Sequence, residues 1–206
     1  MKLSTSALIC SLGVFFCAST SVANTVVFFE DFENENGGQT ALDYNRFSQF
    51  TGLMVDLAAT PDFGVTCAGG GGLCVDLSNN AGEFGTLTSN GIAVSPGPYE
   101  FSFDYSGSQT DTGPPRARAA VRVIGTMVSD EVSADYFDPF RRFSVSFFVP
   151  TASTLALQFE CLESSGQCIF IDNVQLAAVP IPAPVFLFGS AMIVIGICRR
   201  HARRIA

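Results

Sequence analysis

The ionisable residues between positions 24 and 178 limit the chemistry that this chain can perform. That stretch holds all nineteen Asp and Glu residues and six of the eleven Lys and Arg residues, but it contains no Lys and no His. Catalytic Ser-His-Asp and Cys-His groups, His-ligated zinc or iron, and Schiff-base lysines are therefore excluded there. A pair of carboxylates could still hydrolyse a glycosidic bond, but nineteen acids form too many pairs for the sequence to single one out.

The same stretch is strongly acidic. Nineteen carboxylates against six arginines give it a formal charge of −13. Such a surface repels nucleic acid and anionic polymers, and it favours divalent cations. Phe and Val are interleaved with the acids, which is typical of a folded domain and not of a disordered acidic tail. We therefore expect a folded, non-catalytic domain that does not bind nucleic acid.

Alternating residues predict that this stretch is all β. From Tyr99 to Tyr105 aromatic residues alternate with polar ones, and the same period of two recurs at 143–149 and 155–160. A period of two places one set of side chains on a single face of a strand. Segments rich in Gly, Pro and Ser separate these runs, and no convincing helical period is present. The expected fold is a single antiparallel β-sandwich.

The first 23 residues are typical of a secretory signal peptide. Lys2 precedes an apolar run from Ala7 to Ala18, and small residues at 21–23 fit a cleavage site before Asn24. We therefore expect an exported protein. Its body, residues 24–178, is one domain by length.

Four cysteines lie in the body, in two pairs that each enclose six residues. They are Cys67 and Cys74, and Cys161 and Cys168. An even number of cysteines in an exported chain indicates disulfides. Of the three possible connectivities we favour the two local bridges. A zinc site made by all four cysteines is the alternative, although zinc sites usually have paired cysteines two to four residues apart.

Residues 179–206 have three parts in a fixed order. A Pro-rich opening is followed by an uncharged apolar run of fourteen residues, Val185–Cys198. A basic cluster follows, made of Arg199, Arg200, Arg203 and Arg204. Fourteen residues make about 21 Å of helix, which is short for a permanent transmembrane span. The order of apolar and basic parts predicts that the arginines are cytoplasmic and that the body lies outside.

This tail resembles a PEP-CTERM sorting signal, which occurs on exported proteins of many Gram-negative bacteria that make extracellular polysaccharide. The likeness rests on a VP-x-PA motif, an LFGS sequence in the apolar run and the arginine cluster. The motif residues are Val179, Pro180, Pro182 and Ala183, with Ile181 in place of the usual Glu. The resemblance implies transient anchoring in the inner membrane, cleavage near the Pro motif by an exosortase, and delivery to the cell surface or extracellular matrix. An ordinary tail anchor is the alternative.

The body resembles the jelly-roll domains of such proteins, which are similar in turn to galactose-binding-like carbohydrate-binding modules. The likeness lies in an opening Asp-Phe-Glu motif, two Val-Asp-Leu segments, the YEFSFDYSGS strand and a closing IDNVQL sequence. In such modules a structural calcium ion often joins the first strand to the last. The resemblance implies calcium ligands at Glu33 and Asp172, with Glu30 and Asp31 as neighbours, and carboxylate oxygens suit calcium. The alternative is that these carboxylates cap turns or face water.

Two groups of aromatic residues beside acids are candidates for a ligand-binding face. They are Tyr44 and Phe47 in one loop, and Tyr136 and Phe137 in another. Sugar recognition commonly stacks such a ring on the apolar face of a pyranose; ordinary packing of the rings is the alternative.

We expect an exported binding or structural domain in a matrix that contains extracellular polysaccharide. A lectin-like carbohydrate-binding module is the second hypothesis, and a carboxylate-dependent glycoside hydrolase is the third.

Overall fold

A computed structural model of the chain describes residues 23–79, 81–109, 116–162 and 168–180, and the regular structure within them is almost entirely β. The strands are β1 (Thr25–Glu30), β2 (Phe50–Leu53), β3 (Asp56–Ala59), β4 (Leu73–Asp76), β5 (Thr86–Ser89), β6 (Ile92–Val94), β7 (Gly97–Ser106), β8 (Arg116–Ile124), β9 (Ser129–Asp135), β10 (Arg141–Val149), β11 (Ser153–Cys161) and β12 (Phe170–Ala178). Short 3-10 turns occur at Glu35–Gly37, Asp62–Gly64 and Ala68–Gly70. The predicted signal peptide, apolar run and arginine cluster lie outside the described residues. Within those residues, no helix has the length and apolar character needed to cross a membrane.

The strands form two antiparallel sheets. The first has the order β10-β7-β12-β4-β3, and β1 also pairs with β12. The second has the order β2-β5-β11-β8-β9, and β6 also pairs with β11. The predicted all-β antiparallel architecture is therefore confirmed.

A core rich in Phe lies between the two sheets. Phe101 and Phe103 of β7 and Phe159 of β11 are fully buried. The rings of Phe103 and Phe159 meet edge to face, with centroids 4.9 Å apart. Because β7 and β11 belong to different sheets, this contact shows that the sheets pack face to face as a sandwich. Burial of each such ring contributes roughly 2–3 kcal/mol to folding.

The strand register defines two ends of the sandwich. Thr25 of β1 lies opposite Ala178 of β12, so both chain ends of the described body emerge together, at what we call the terminal end. Ser106 of β7 lies opposite Phe170 of β12 at the other end, which we call the loop end. The end of β7, the start of β8 and the β9–β10 connection lie at the loop end.

Both predicted disulfides form, and each joins cysteines seven positions apart. Cys67 and Cys74 have Cα atoms 5.5 Å apart, and Cys161 and Cys168 have Cα atoms 6.0 Å apart. Because all four sulfur atoms are paired, the alternative of a four-cysteine zinc site is wrong. We call residues 67–74, which the first disulfide closes between β3 and β4, the glycine loop.

Candidate functional site

A pocket at the loop end combines an exposed aromatic ring with charged groups. Its volume is about 450 Å³, and it is lined by Arg116, Asp135, Tyr136, Phe137 and Asp138. Phe137 is 72 % exposed, and the Tyr136 ring meets it at an angle of 64°, with centroids 6.3 Å apart. We call this the loop-end pocket.

Hydrogen bonds from other loops hold the turn that carries the pocket. Within the turn, Asp135 N donates to Asp138 Oδ2 at 3.0 Å. Gln109 N donates to Tyr136 O at 2.8 Å. The Gln109 side chain bonds in turn to the backbone N and O of Thr66, each at 2.9 Å. Because three loops are joined in this way, the backbone of the turn that carries Tyr136 and Phe137 is held in place.

The charged and polar groups of the pocket keep capacity for further hydrogen bonds. Arg116 Nε lies 3.1 Å from Asp135 Oδ1, and both side chains are 63 % exposed, so their ion pair contributes little to stability. Asp138 lies 3.7 Å from Arg141. Within the described ranges, Tyr136 Oη is the one buried side-chain N or O atom without a hydrogen-bond partner. Leaving such a group unsatisfied costs about 1–3 kcal/mol.

Tyr44 and Phe47, the other aromatic pair predicted at a ligand face, are buried. Their exposures are 9 % and 8 %, and their rings meet edge to face with centroids 4.7 Å apart. The Tyr44 hydroxyl donates to the buried Glu35 carboxylate at 3.2 Å. Because both rings pack in the core, neither has a face open to a ligand, and that part of the prediction is wrong.

Glu33 and Asp172, the two predicted calcium ligands, both contact the glycine loop. Glu33 Oε1 accepts a hydrogen bond from Leu73 N at 3.2 Å. Asp172 Oδ2 accepts one from Ala68 N at 3.1 Å. The first disulfide therefore holds two amides against carboxylates that come from opposite ends of the sequence.

Burial has a strong effect on Asp172. The residue is 2 % exposed, and burial raises its pKa to about 7. Hydrogen bonds from backbone amides, including that of Asn173 at 2.7 Å, act against this rise, whereas the negative charges of Glu33 and Asp104 add to it. Asp104 has a cationic partner, Arg142, at 3.2 Å. No ion pair found within the described residues involves Asp172.

Glu30 and Asp31, predicted as neighbouring ligands, have contacts of their own. The buried Glu30 carboxylate accepts hydrogen bonds from Phe32 N and Gln49 Nε2, both at 2.8 Å, and burial is the main cause of its raised pKa. Asp31 Oδ1 accepts from Glu33 N at 3.2 Å, which makes it a turn cap. Glu30 and Asp31 are therefore engaged in hydrogen bonds beside the turn that carries Glu33, and the calcium site itself stays a prediction. Among the described residues, no three His, Cys, Asp or Glu side chains are arranged to hold a metal ion.

A second acidic cluster involves the two Val-Asp-Leu segments, which the sequence did not predict as a site. Asp56 and Asp76 lie directly opposite each other on β3 and β4. Burial, together with the negative charge of Asp56, raises the pKa of Asp76 to about 7, although hydrogen bonds from Ser78 oppose the rise. The repeated Val-Asp-Leu segment is the sequence feature that could have indicated this pair, because equivalent positions of adjacent antiparallel strands can face each other.

The chain matches no protein-family model and no curated protein sequence. Among solved structures it is similar to the C-terminal CBM6 of a marine laminarinase from Zobellia galactanivorans, with 17 % identity, 68 % of this chain and 99 % of that chain covered, and a TM-score of 0.41. It is similar to the CBM22-1 xylan-binding domain of Paenibacillus barcinonensis Xyn10C, with 12 % identity, coverages of 79 % and 99 %, and a TM-score of 0.47. It is also similar to the K1 cleaved adhesin domain of Lys-gingipain from Porphyromonas gingivalis, with 15 % identity, coverages of 73 % and 97 %, and a TM-score of 0.48. Carbohydrate-binding modules are thus among the structures to which this chain is similar.

Proposed function

We propose that this chain is an exported β-sandwich that binds polysaccharide, without catalysis, at the cell surface or in an extracellular matrix. The observation that carries the proposal is the loop-end pocket, where the exposed Phe137 ring lies beside Arg116, Asp135 and Asp138. An open ring can stack on the apolar face of a sugar, while carboxylates accept and a guanidinium donates hydrogen bonds to its hydroxyls. Because the body is acidic, a neutral polysaccharide is the expected ligand.

Export is supported by the signal-like first residues and by the two disulfides, which persist in oxidising compartments. The likeness of the tail to a sorting signal supports transient anchoring in the inner membrane and processing by an exosortase. Assignment of the sandwich to the jelly-roll class belongs to the same proposal. A tail that is never cleaved would leave the body facing outward on a permanent anchor.

The pocket suits binding better than glycoside hydrolysis. Asp135 and Asp138 lie in one short turn, and each pairs with an arginine, at 3.1 Å and 3.7 Å. A glycosidase instead holds one of its two carboxyl groups protonated, so that it can act as a general acid. In the loop-end pocket both carboxyl groups are engaged in ion pairs with arginines on one short turn.

Titration of the full chain with neutral polysaccharides tests the binding proposal. We expect xylan, β-1,3-glucan or galactan to bind, as measured by calorimetry or by retardation in a polysaccharide-containing gel. Replacing a central aromatic contact typically costs about 1.4 kcal/mol or more, which is about tenfold in affinity, so Phe137→Ala should weaken binding at least that much. Phe148 provides a matched control, because it is 64 % exposed but lies at the terminal end of β10. Equal effects of Phe137→Ala and Phe148→Ala, or no binding to any of the three polysaccharides, would contradict the proposal.

A calcium ion between Glu33 and Asp172 is a second part of the proposal. Two carboxylates converge on the glycine loop there, and one of them is buried with a raised pKa. Calcium prefers oxygen ligands of this kind, with backbone carbonyls and water completing six to eight positions. The bound ion would compensate the charge of Asp172 and join the turn after β1 to β12. Its role would be structural.

A further inference from the structure

The two ends of the sandwich differ in charge. The terminal end is built from residues 23–26, 92–99, 123–129, 147–156 and 177–180, and none of these is Asp, Glu, Lys or Arg. Glu100, which lies opposite Ala177, and Arg122, which lies opposite Ser129, border this end. The loop end and the strand segments next to it carry charged residues of both signs: Asp76, Asp104, Arg116, Asp135, Asp138, Arg141 and Arg142. The turns of the terminal end therefore carry no charged side chain, and most of the negative charge of the body lies away from them.

Apolar side chains are exposed at the terminal end. Met127 in the β8–β9 turn is fully exposed, at 101 %, and Phe148 of β10 is 64 % exposed. Val26 and Ile124 are about half exposed. A groove of about 580 Å³ runs between the β8–β9 turn and the end of β10. Exposed apolar groups collected on one surface mark an interaction site more often than isolated ones do.

The chain leaves the sandwich at this same end. Val179 N donates to Pro98 O at 2.9 Å, which holds the last described residues beside the start of β7. Four residues, 181–184, separate Pro180 from the apolar run that begins at Val185. A fully extended chain covers at most about 18 Å between Pro180 and Val185. Anchoring of that run would therefore keep the terminal end close to a bilayer surface.

We propose that the terminal end docks on the surface of a zwitterionic phospholipid bilayer, with Met127 and Phe148 at the level of the headgroups. This inference rests on the proposed anchoring by the apolar run. Membrane surfaces are neutral or negative, so the uncharged end can approach one without the repulsion that a net acidic surface would meet. Docking in this orientation turns the loop-end pocket, at the opposite end of the strands, away from the bilayer.

Paramagnetic broadening of methionine methyl signals tests this orientation. The chain that begins at Asn24, after the predicted signal peptide, is labelled with ¹³C-methyl methionine and incorporated into phosphatidylcholine vesicles that contain a lipid spin-labelled at the headgroup. We expect Met127 to broaden severalfold more than Met54. Met54 is a suitable control because it is 37 % exposed and follows β2, whose last residue, Leu53, lies towards the loop end. Phe148→Glu should reduce the broadening at Met127 while leaving the Met54 signal and vesicle flotation unchanged.

The outcomes separate docking from anchoring. Equal broadening at Met127 and Met54 in a chain that floats with vesicles would overturn docking and leave anchoring intact. A chain that does not float, or that floats equally well after deletion of residues 185–206, would refute anchoring by the apolar run, and docking would fall with it. Selective broadening at Met127 that Phe148→Glu reduces would support the inference.

Discussion

Replacing Asp172 by Asn removes a buried ionisable carboxyl group beside the glycine loop. Asp172 is 2 % exposed, and burial raises its pKa from 3.8 to about 7. Between these pH values the folded protein keeps a proton that the unfolded chain loses. This group therefore makes the free energy of unfolding fall as the pH rises from about 4 to about 7. An Asn side chain does not ionise, so the free energy of unfolding of the variant should not show this fall with pH.

The size of the effect follows from the change in pKa. A rise from 3.8 to about 7 corresponds to about 4 kcal/mol, at about 1.4 kcal/mol for each pKa unit. We expect the stability of the wild type, relative to Asp172→Asn, to fall by about this amount between about pH 4 and about pH 8 in EDTA. Asn also loses one of the two hydrogen bonds that the carboxylate accepts from Ala68 N and Asn173 N, which costs about 1–3 kcal/mol. Because that cost applies at both pH values, the pH-dependent difference isolates the charge.

Urea denaturation followed by tyrosine fluorescence measures this difference. Calcium favours the ionised carboxylate, so it should stabilise the wild type at the higher pH, have little effect at the lower pH, and have little effect on Asp172→Asn. Asp130→Asn, which changes an exposed carboxylate of β9, is the control. If the difference in free energy of unfolding between wild type and Asp172→Asn did not change with pH, the inference that burial raises the pKa of Asp172 would be refuted. Equal stabilisation of both proteins by calcium would refute the calcium site.

Three further substitutions test the loops that form the two sites. Gly72→Ala should abolish calcium stabilisation, measured as a shift in Tm, because a Cβ there would overlap the Glu33 carboxylate and φ is +79°. Replacing both cysteines of the first disulfide by Ala should lower the free energy of unfolding by about 2–3 kcal/mol, through loss of loop closure, and should weaken calcium binding measured by calorimetry. Gly107→Ala should weaken polysaccharide binding in a retardation gel, because its Cβ would overlap the Asp135 carbonyl and displace the pocket turn.

Matched controls exist for two of these changes. Gly71→Ala should leave calcium stabilisation intact, because nothing lies within 4 Å of its Cβ. The second disulfide has the same sequence separation of 7 as the first, so its removal should lower stability by a similar amount without affecting calcium. If both disulfide variants weakened calcium binding equally, the glycine loop would have no specific part in it. Unchanged polysaccharide binding by Gly107→Ala would argue against the loop-end pocket.

Local patterns in the sequence were sufficient to predict the strands and the disulfides. The alternation from Tyr99 to Tyr105 falls entirely within β7, because a period of two depends only on neighbouring residues. Cysteines seven positions apart need only a short loop to meet. The absence of Lys and His from residues 24–178 likewise excludes whole classes of catalytic site within that stretch, because folding cannot supply a residue type that the stretch lacks.

Tertiary structure decided which of several similar residues could form a site. Tyr44 and Phe47 look like Tyr136 and Phe137 in the sequence, yet the first pair is buried in the core and Phe137 is exposed. Glu30 lies only three positions from Glu33, but only Glu33 contacts the glycine loop. Whether a residue is exposed or contacts the glycine loop depends on which loop covers the core and on the direction in which a turn points its side chains. The neighbouring residues in the sequence determine neither of these.

The sequence by itself determined an acidic, disulfide-bonded β domain with an apolar segment after it, because composition and local period are properties of the chain. The strand register decided where the charges lie. Acids are spread along the whole body, but the antiparallel order brings the uncharged turns at 95–96, 125–128 and 150–152 together at one end. The separation of the apolar end from the pocket end depends on pairing between strands that are distant in sequence. Val94 lies opposite Ser153 and Ile124 lies opposite Ala156, and these pairs place the turns side by side.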